Sequence, residues 1–286
     1  MKPNPLEFLR PVETIQVLDV GAARINETPI YEPLLDRDLA HLYACEGDDR
    51  QIANIKQHHG AKASIVSQFL GDGHRHELYL ASPASGMTSL LKPDPRALKF
   101  FNGFEAIGAI REVRQVATQR LDDAGDIPPI DFLKMDIQGS ELALLENGPE
   151  KLKHCVAIQL EVSFIPLYQN QPTLGVLDQW LRARGFAPHC FLDIKRWSIF
   201  PTVFNNDFRV PGNQLLEGDM VYVRDPLSLQ CLSEQQLKKL ALIAHFSLKS
   251  VDLCAHFLFE LMERKLIHPE SHPIYFNNCN RGQSRE

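Results

Sequence analysis

The stretch Ile130-Asp131-Phe132-Leu133-Lys134-Met135-Asp136-Ile137-Gln138-Gly139-Ser140-Glu141 decides the fold class of this chain. An apolar run ends in an acid, a glycine turn follows, and a helix opens with a second acid. Open α/β sheets present residues in this way at the carboxyl edge of a buried parallel strand, where their ligands bind. Upstream, Ile15-Gln16-Val17-Leu18-Asp19-Val20-Gly21-Ala22 forms a second unit of strand and glycine turn. Together the two units predict a nucleotide-type cofactor at one strand end and chemistry at a neighbouring one.

Outward from these units, strand-like and helix-like segments alternate, which favours an α/β protein with a parallel sheet wrapped by helices. Strands are predicted at 15–20, 41–46, 63–69, 130–135, 156–162, 190–194 and 220–223, with helices at 48–58, 141–146 and 173–184. The turn Gly71-Asp72-Gly73 reads as joining the third strand to a short strand at 78–81 in a hairpin. Residues 82–108 hold Pro83, Gly86, Pro93, Pro95 and Gly103 and read as loop with short helical pieces, either a functional lid or a disordered segment. An extended segment at 110–117 follows, and Pro128-Pro129 stops any helix before the strand at 130.

From Pro226 the pattern changes. Ser233-Glu234-Gln235-Gln236 is a capping box, and Leu237, Leu240, Ala241, Ala244 and Leu248 then recur at helical spacing. A second helix covers about 251–266. This helical hairpin either caps the sheet domain or makes a homodimer contact, and the chain after Asn277 is expected to be a mobile tail.

Composition sets further bounds. The 286 residues are 44% hydrophobic and 23% charged, as in an ordinary globular chain. A net charge of −6 gives no electrostatic reason to expect nucleic acid or an anionic membrane as the main partner. The six cysteines form no C-x-x-C pair, which argues against structural zinc; several sit inside apolar runs as small hydrophobes, and a reduced, cytoplasmic setting is expected. His74 and His76 make an H-x-H pair without an identifiable third ligand, so no metal is assigned. No apolar run approaches the ~20 residues of a membrane span, and Met1-Lys2-Pro3-Asn4-Pro5 does not lead into a signal-peptide core.

Glu46 ends the second strand 25 residues after Gly21. An acid in that place can accept hydrogen bonds from both hydroxyls of a ribose. The glycine pattern bears on which cofactor is bound. A nicotinamide or flavin fingerprint requires G-x-G-x-x-G, whereas this chain reads Gly21-Ala22-Ala23-Arg24-Ile25-Asn26. S-adenosylmethionine has no pyrophosphate and does not need that turn, so the pattern favours a methyl donor. A dinucleotide-dependent oxidoreductase on a related sheet, and a non-catalytic module that retains the fold, stay open as alternatives.

Val17-Leu18-Asp19-Val20-Gly21-Ala22, Ala44-Cys45-Glu46, Met87-Thr88-Ser89-Leu90-Leu91 and above all residues 130–141 resemble the FkbM family of S-adenosylmethionine-dependent methyltransferases. The likeness continues through Glu161-Val162-Ser163-Phe164, Pro166-Leu167-Tyr168 and Gly218-Asp219-Met220-Val221-Tyr222-Val223. It implies a Rossmann-like class I methyltransferase: a mostly parallel seven-stranded sheet with the last strand antiparallel over residues 1–225, followed by a helical extension over 226–286. It further implies O-methylation of a hydroxyl on a small molecule or glycan. The cofactor-binding set is then Asp19, Gly21, Ala22, Glu46, Gly47, Asp72 and Asp136. One departure stands out: the second glycine of the first loop is absent, with Ile25 near its place.

Methyl transfer requires alignment of acceptor oxygen, methyl and sulfur, exclusion of water, and a destination for the hydroxyl proton. Asp136, Glu161 and Glu141, in that order, are the candidate catalytic residues. Lys134 and Gln159 share the strand faces of Asp136 and Glu161 by period-two alternation. Structural roles compete at each position: Asp136 as a helix cap, Glu141 as support for a helix dipole, Lys134 as the partner of a carboxylate. Ser82, Ser85 and Ser89 stand in the irregular segment that resembles the family's serine-rich region beside the cofactor. Tyr168 and Trp197 are candidates for the acceptor pocket, with core packing the default for Trp197.

Overall fold

The computed structural model describes residues 6–22, 28–47, 49–82 and 85–283. Its main sheet is built from β1 (Ile15–Val20), β2 (Ala40–Cys45), β3 (Ala63–Val66), β7 (Phe132–Met135), β8 (Ala157–Ser163), β9 (Phe186–Trp197) and β10 (Gln214–Arg224). The strand order is β3-β2-β1-β7-β8-β10-β9. Its strands pair in parallel except at β10, which runs against both β8 and β9. The chain moves outward from β1 to β3 and then returns to place β7 on the other side of β1. A crevice therefore opens outside the carboxyl ends of β1 and β7, the switch point at which such sheets bind ligands.

The central strands are apolar on both faces because helices cover both. All seven residues of β8 are buried. On one face Ile15, Val17, Phe132, Val221 and Val223 pack against the helices α7 (Glu234–Phe246) and α8 (Val251–Glu263). On the other, Leu18, Leu133, Leu160 and Val162 meet Leu144 and Leu145 of α5 (Glu141–Glu146) and Leu177 and Leu181 of α6 (Leu174–Arg182). A third cluster, with Phe101, Phe104, Leu167, Tyr168 and Leu216, includes residues of α3 (Pro95–Phe100), its C-cap and α4 (Phe104–Ile107).

Three elements differ from expectation. The strand predicted at 63–69 breaks after Val66, and its last residues form β4 (Phe69–Leu70) in a second, three-stranded sheet. The expected hairpin around Gly71-Asp72-Gly73 does not form. Instead β5 (Arg75–Leu80) pairs antiparallel with β6 (Glu112–Gln119), from Arg75 opposite Ala117 to Leu80 opposite Glu112. Local turn chemistry says where a chain bends and not which later strand it meets. The outer strands β9 and β10 are also far longer than predicted, because polar residues interrupt their apolar pattern.

The capping box at α7 is present, with Ser233 Oγ accepting from Gln236 N. The apolar faces of α7 and α8 are engaged by the chain's own sheet. Lys239 reaches through this interface and donates to both Asp131 oxygens at 2.9 Å, while Lys238 donates to the Pro11 carbonyl at 3.0 Å. Beyond α8 a third helix, α9 (Ser271–Gln283), occupies residues expected to form a tail. No helix among the described residues is long and apolar enough to cross a membrane.

Candidate active site

Gly21 shows how tightly the strand ends meet. It has φ +76°, its N–H donates to Cys45 O at 3.0 Å, and a Cβ added there would stand 2.1 Å from the Asp136 carbonyl oxygen. Only glycine permits this approach. Asp136 N in turn donates to Val20 O at 3.0 Å, and Glu46 N to Val66 O at 3.0 Å. Glu46, Gly21, Ala22 and Asp136 thus lie on one edge of the sheet, with Glu46 largely buried. Gly47 is set by packing, since a Cβ there would enter the Phe69 ring at 2.4 Å. Ala23, Arg24, Ile25 and Asn26, where the first loop departs from the expected glycine pattern, lie outside the described residues.

Two predicted cofactor contacts are engaged elsewhere. Asp19 is buried, and its oxygens accept from Tyr31 Oη at 2.6 Å and Lys134 Nζ at 3.1 Å. Through these two partners the side chain braces the strand beneath the crevice. Burial alone would lower the Lys134 pKa, but Asp19 and Asp136 outweigh it and keep the ammonium charged. Asp72 closes its own turn, accepting from His74 N at 2.9 Å and lying 2.7 Å from His76 Nε2. Burial opposes its ionisation, yet the His76, His74 and Thr118 hydrogen bonds hold its carboxyl below the usual range. Asp72 nevertheless lines a cavity of about 210 Å³ shared with Leu91, Gly139 and Ser140, so it reaches the flank of the 137–141 turn.

Within that turn Gln138 has φ +52°, a left-handed conformation uncommon for any residue but glycine. Its amide explains why the strain is held. Nε2 donates to Asp136 Oδ1 at 2.9 Å and to Glu161 Oε1 at 3.2 Å, Oε1 accepts from Tyr168 Oη at 2.9 Å, and its carbonyl accepts from Ser89 Oγ at 2.7 Å. Gln138 therefore fixes the two leading catalytic candidates relative to each other. Sequence reasoning passed over it, although it stands inside the stretch that decided the fold. Glu141 points one oxygen back into the same turn, accepting from Ile137 N and Gly139 N at 3.2 Å each. Burial pushes its carboxyl up to about 7, partly offset by those backbone N–H groups. This geometry shapes the turn rather than presenting a carboxylate to a ligand.

Glu161 is 8% exposed and stands opposite Asp219 on β10. Burial, then the nearby Glu217 and Asp136, raise its pKa well above the ordinary glutamate range, with Lys195 opposing. Lys195 on β9 lies opposite Glu217 and approaches it at 2.8 Å, with Glu161 at 3.7 Å. Glu217 and Lys195 also escaped the sequence reading. The available signal was a charged residue at alternate positions within strands otherwise apolar, Asp193-Ile194-Lys195 and Glu217-Gly218-Asp219. Trp197 packs edge-on to Phe104 and donates to Asn102 O at 2.8 Å, the core role taken as its default. Ser85 Oγ donates to the Ser82 carbonyl at 2.7 Å, while Ser89 is tied to the turn through Gln138 O.

Seven strands in this order, with one antiparallel strand next to the far edge and acids along the carboxyl ends, define a Rossmann-like class I methyltransferase fold. The FkbM methyltransferase domain matches residues 19–188, more than half of the chain, and the protein belongs to that family. No curated protein matches it. Among solved structures, the magnesium protoporphyrin IX methyltransferase of Synechocystis PCC 6803, with SAM bound, is 11% identical at a TM-score of 0.37, covering 77% of this chain and 76% of that one. The fibrillarin pre-rRNA processing protein of Methanococcus jannaschii is 14% identical at a TM-score of 0.36, covering 78% and 70%. Such scores are low, and the fold assignment rests on the strand order itself.

Proposed function

We propose that the protein transfers a methyl group from S-adenosylmethionine to a hydroxyl oxygen of a small-molecule or carbohydrate acceptor. The observation that carries this reading is the meeting of Glu46, Gly21 and Asp136 at one strand edge, with Glu161 joined to Asp136 through Gln138. The residues present fit such a donor. Glu46 supplies a carboxylate for ribose hydroxyls at the end of β2, and Gly21 lets the β1 exit close against Asp136, which brings the two acids to one edge. Asp72, at the cavity beside the turn, flanks it. When bound, the donor supplies an electrophilic methyl group; transfer to a hydroxyl yields a methyl ether and S-adenosylhomocysteine and leaves one proton for the protein. Asp136 orients the acceptor hydroxyl, Glu161 stands beside it as the second acid, and Glu141 keeps the turn in shape for both. The reduced, cytoplasmic setting read from the cysteines belongs to the same proposal.

Isothermal calorimetry with S-adenosylmethionine tests the reading directly. Binding is expected for the wild type, and Glu46→Ala should weaken it by roughly 1–3 kcal/mol, the cost of losing buried hydrogen bonds to a charged group. Absence of donor binding, with tight binding of a dinucleotide in its place, rejects the proposal.

A further inference from the structure

Three charged side chains from three neighbouring strands converge beside Asp136. Lys195 of β9 sits between Glu217 and Glu161, its nitrogen 2.8 Å from one and 3.7 Å from the other. Both glutamates are largely buried, while about two-fifths of the lysine side chain is exposed. One ammonium cannot neutralise two carboxylates, and two buried carboxylates at close range cannot both ionise readily. The surroundings sharpen the conflict. Asp136 beyond β7, Glu141 of α5 and Asp219 of β10 all bear on the pair with negative charge, Tyr168 and Gln138 are neutral, and Lys195 is the one cation among the groups acting on it most strongly.

We propose that Glu161 and Glu217 act as one proton-sharing pair whose charge is set by Lys195, a positioning residue. The acceptor site then carries one carboxylate, able to accept the hydroxyl proton, and one carboxylic acid, able to donate a hydrogen bond to a second oxygen of the acceptor. A substrate with neighbouring oxygen functions, such as a vicinal diol, satisfies both. The pair is inferred from the approach of both carboxyls to the one ammonium of Lys195; its use in methyl transfer rests on the function proposed above. The direction in which both glutamates titrate agrees, since burial raises each and Lys195 opposes in both.

Carbon-13 NMR titration of glutamate-labelled protein tests the pair without donor or acceptor, with Glu161→Gln and Glu217→Gln used to assign the two carboxyl signals. In the wild type both signals should move together, with one proton retained at neutral pH. Glu217→Gln should lower the Glu161 midpoint by at least one pH unit, and Lys195→Met should raise the pair's midpoint by a similar amount, with Lys195→Arg restoring it. Independent titration of Glu161 in the ordinary glutamate range, unmoved by Lys195→Met or Glu217→Gln, overturns the proposal. Should one glutamine variant fail to fold, the other assigns its own carboxyl, and the wild-type titration of that signal decides, because an ordinary glutamate midpoint is incompatible with a shared proton. Failure of donor binding in calorimetry removes the methyl-transfer role and leaves the pair standing, so the two outcomes are separable.

Discussion

Strand β7 has an aspartate beyond each end, and the two have opposite surroundings. Asp131, before its start, is buried. It accepts from Gln16 N at 2.8 Å and from Lys239 through both oxygens, so helix α7 is bolted to the sheet through it. Asp136, past the other end, is exposed and takes a hydrogen bond from the Gln138 amide at 2.9 Å. The same residue type five positions apart serves stability at one end and stands available for chemistry at the other. Availability of lone pairs, rather than charge or position in a motif, separates the two.

The sharpest way to break this contrast is to exchange the consequences. Asp131→Ala should lower stability by about 3–5 kcal/mol, because it leaves the Lys239 charge buried without its main partner; urea denaturation measures this. Asp136→Asn should change stability by no more than about 0.5 kcal/mol while slowing methyl transfer by about 10²–10⁴-fold, read as label transfer from radioactive donor once an acceptor is identified. Equal losses of stability in both variants would abolish the distinction. Gly21→Ala should cost about 1–3 kcal/mol of folding stability through backbone strain, since the new methyl meets the Asp136 carbonyl head-on; a normal melting curve would show that the strand ends are further apart than described.

Glu141 supplies a pH test. Its carboxyl is raised to about 7 in the folded protein from an ordinary value of 4.5. Between those values the folded state holds a proton that the unfolded state has released, so stability falls as pH rises. The contribution is complete below about 4.5 and is lost as pH passes through about 7. Glu141→Gln keeps an oxygen for Ile137 N and Gly139 N and should flatten this slope in denaturation series from pH 4.5 to 7.5; an unchanged slope would place the titration elsewhere. Smallest is Ser233→Ala, which removes the cap of the helix that carries Lys239 and should cost about 1 kcal/mol, measurable as a lower urea midpoint.

Much of this architecture was legible in the chain. β1, β7, β8 and α5 were located to within about two residues, because a buried parallel strand is a continuous apolar run and its glycine exit is a local signal. The candidate acids Glu46, Asp136 and Glu161 followed from the same strand ends. What escaped was non-local. β5 met β6 across more than thirty residues of loop and short helix, for which no nearby pattern exists. Gln138, Lys195 and Glu217 acquire their roles only from partners brought together by folding. Asp19 is a related case: Tyr31 and Lys134, which hold its oxygens, are adjacent to it only in space.

The shared core of the sheet and α7–α8 has a bearing on how the chain is made. Ile15, Val17 and Phe132 share their core with Leu34, Leu35 and Ile55, and also with residues spread over 237–261, far along the chain. A nascent chain therefore carries this face partly uncovered until α8 has emerged, and closure of the fold waits for that segment. Chaperones that shield such faces have their natural window before then.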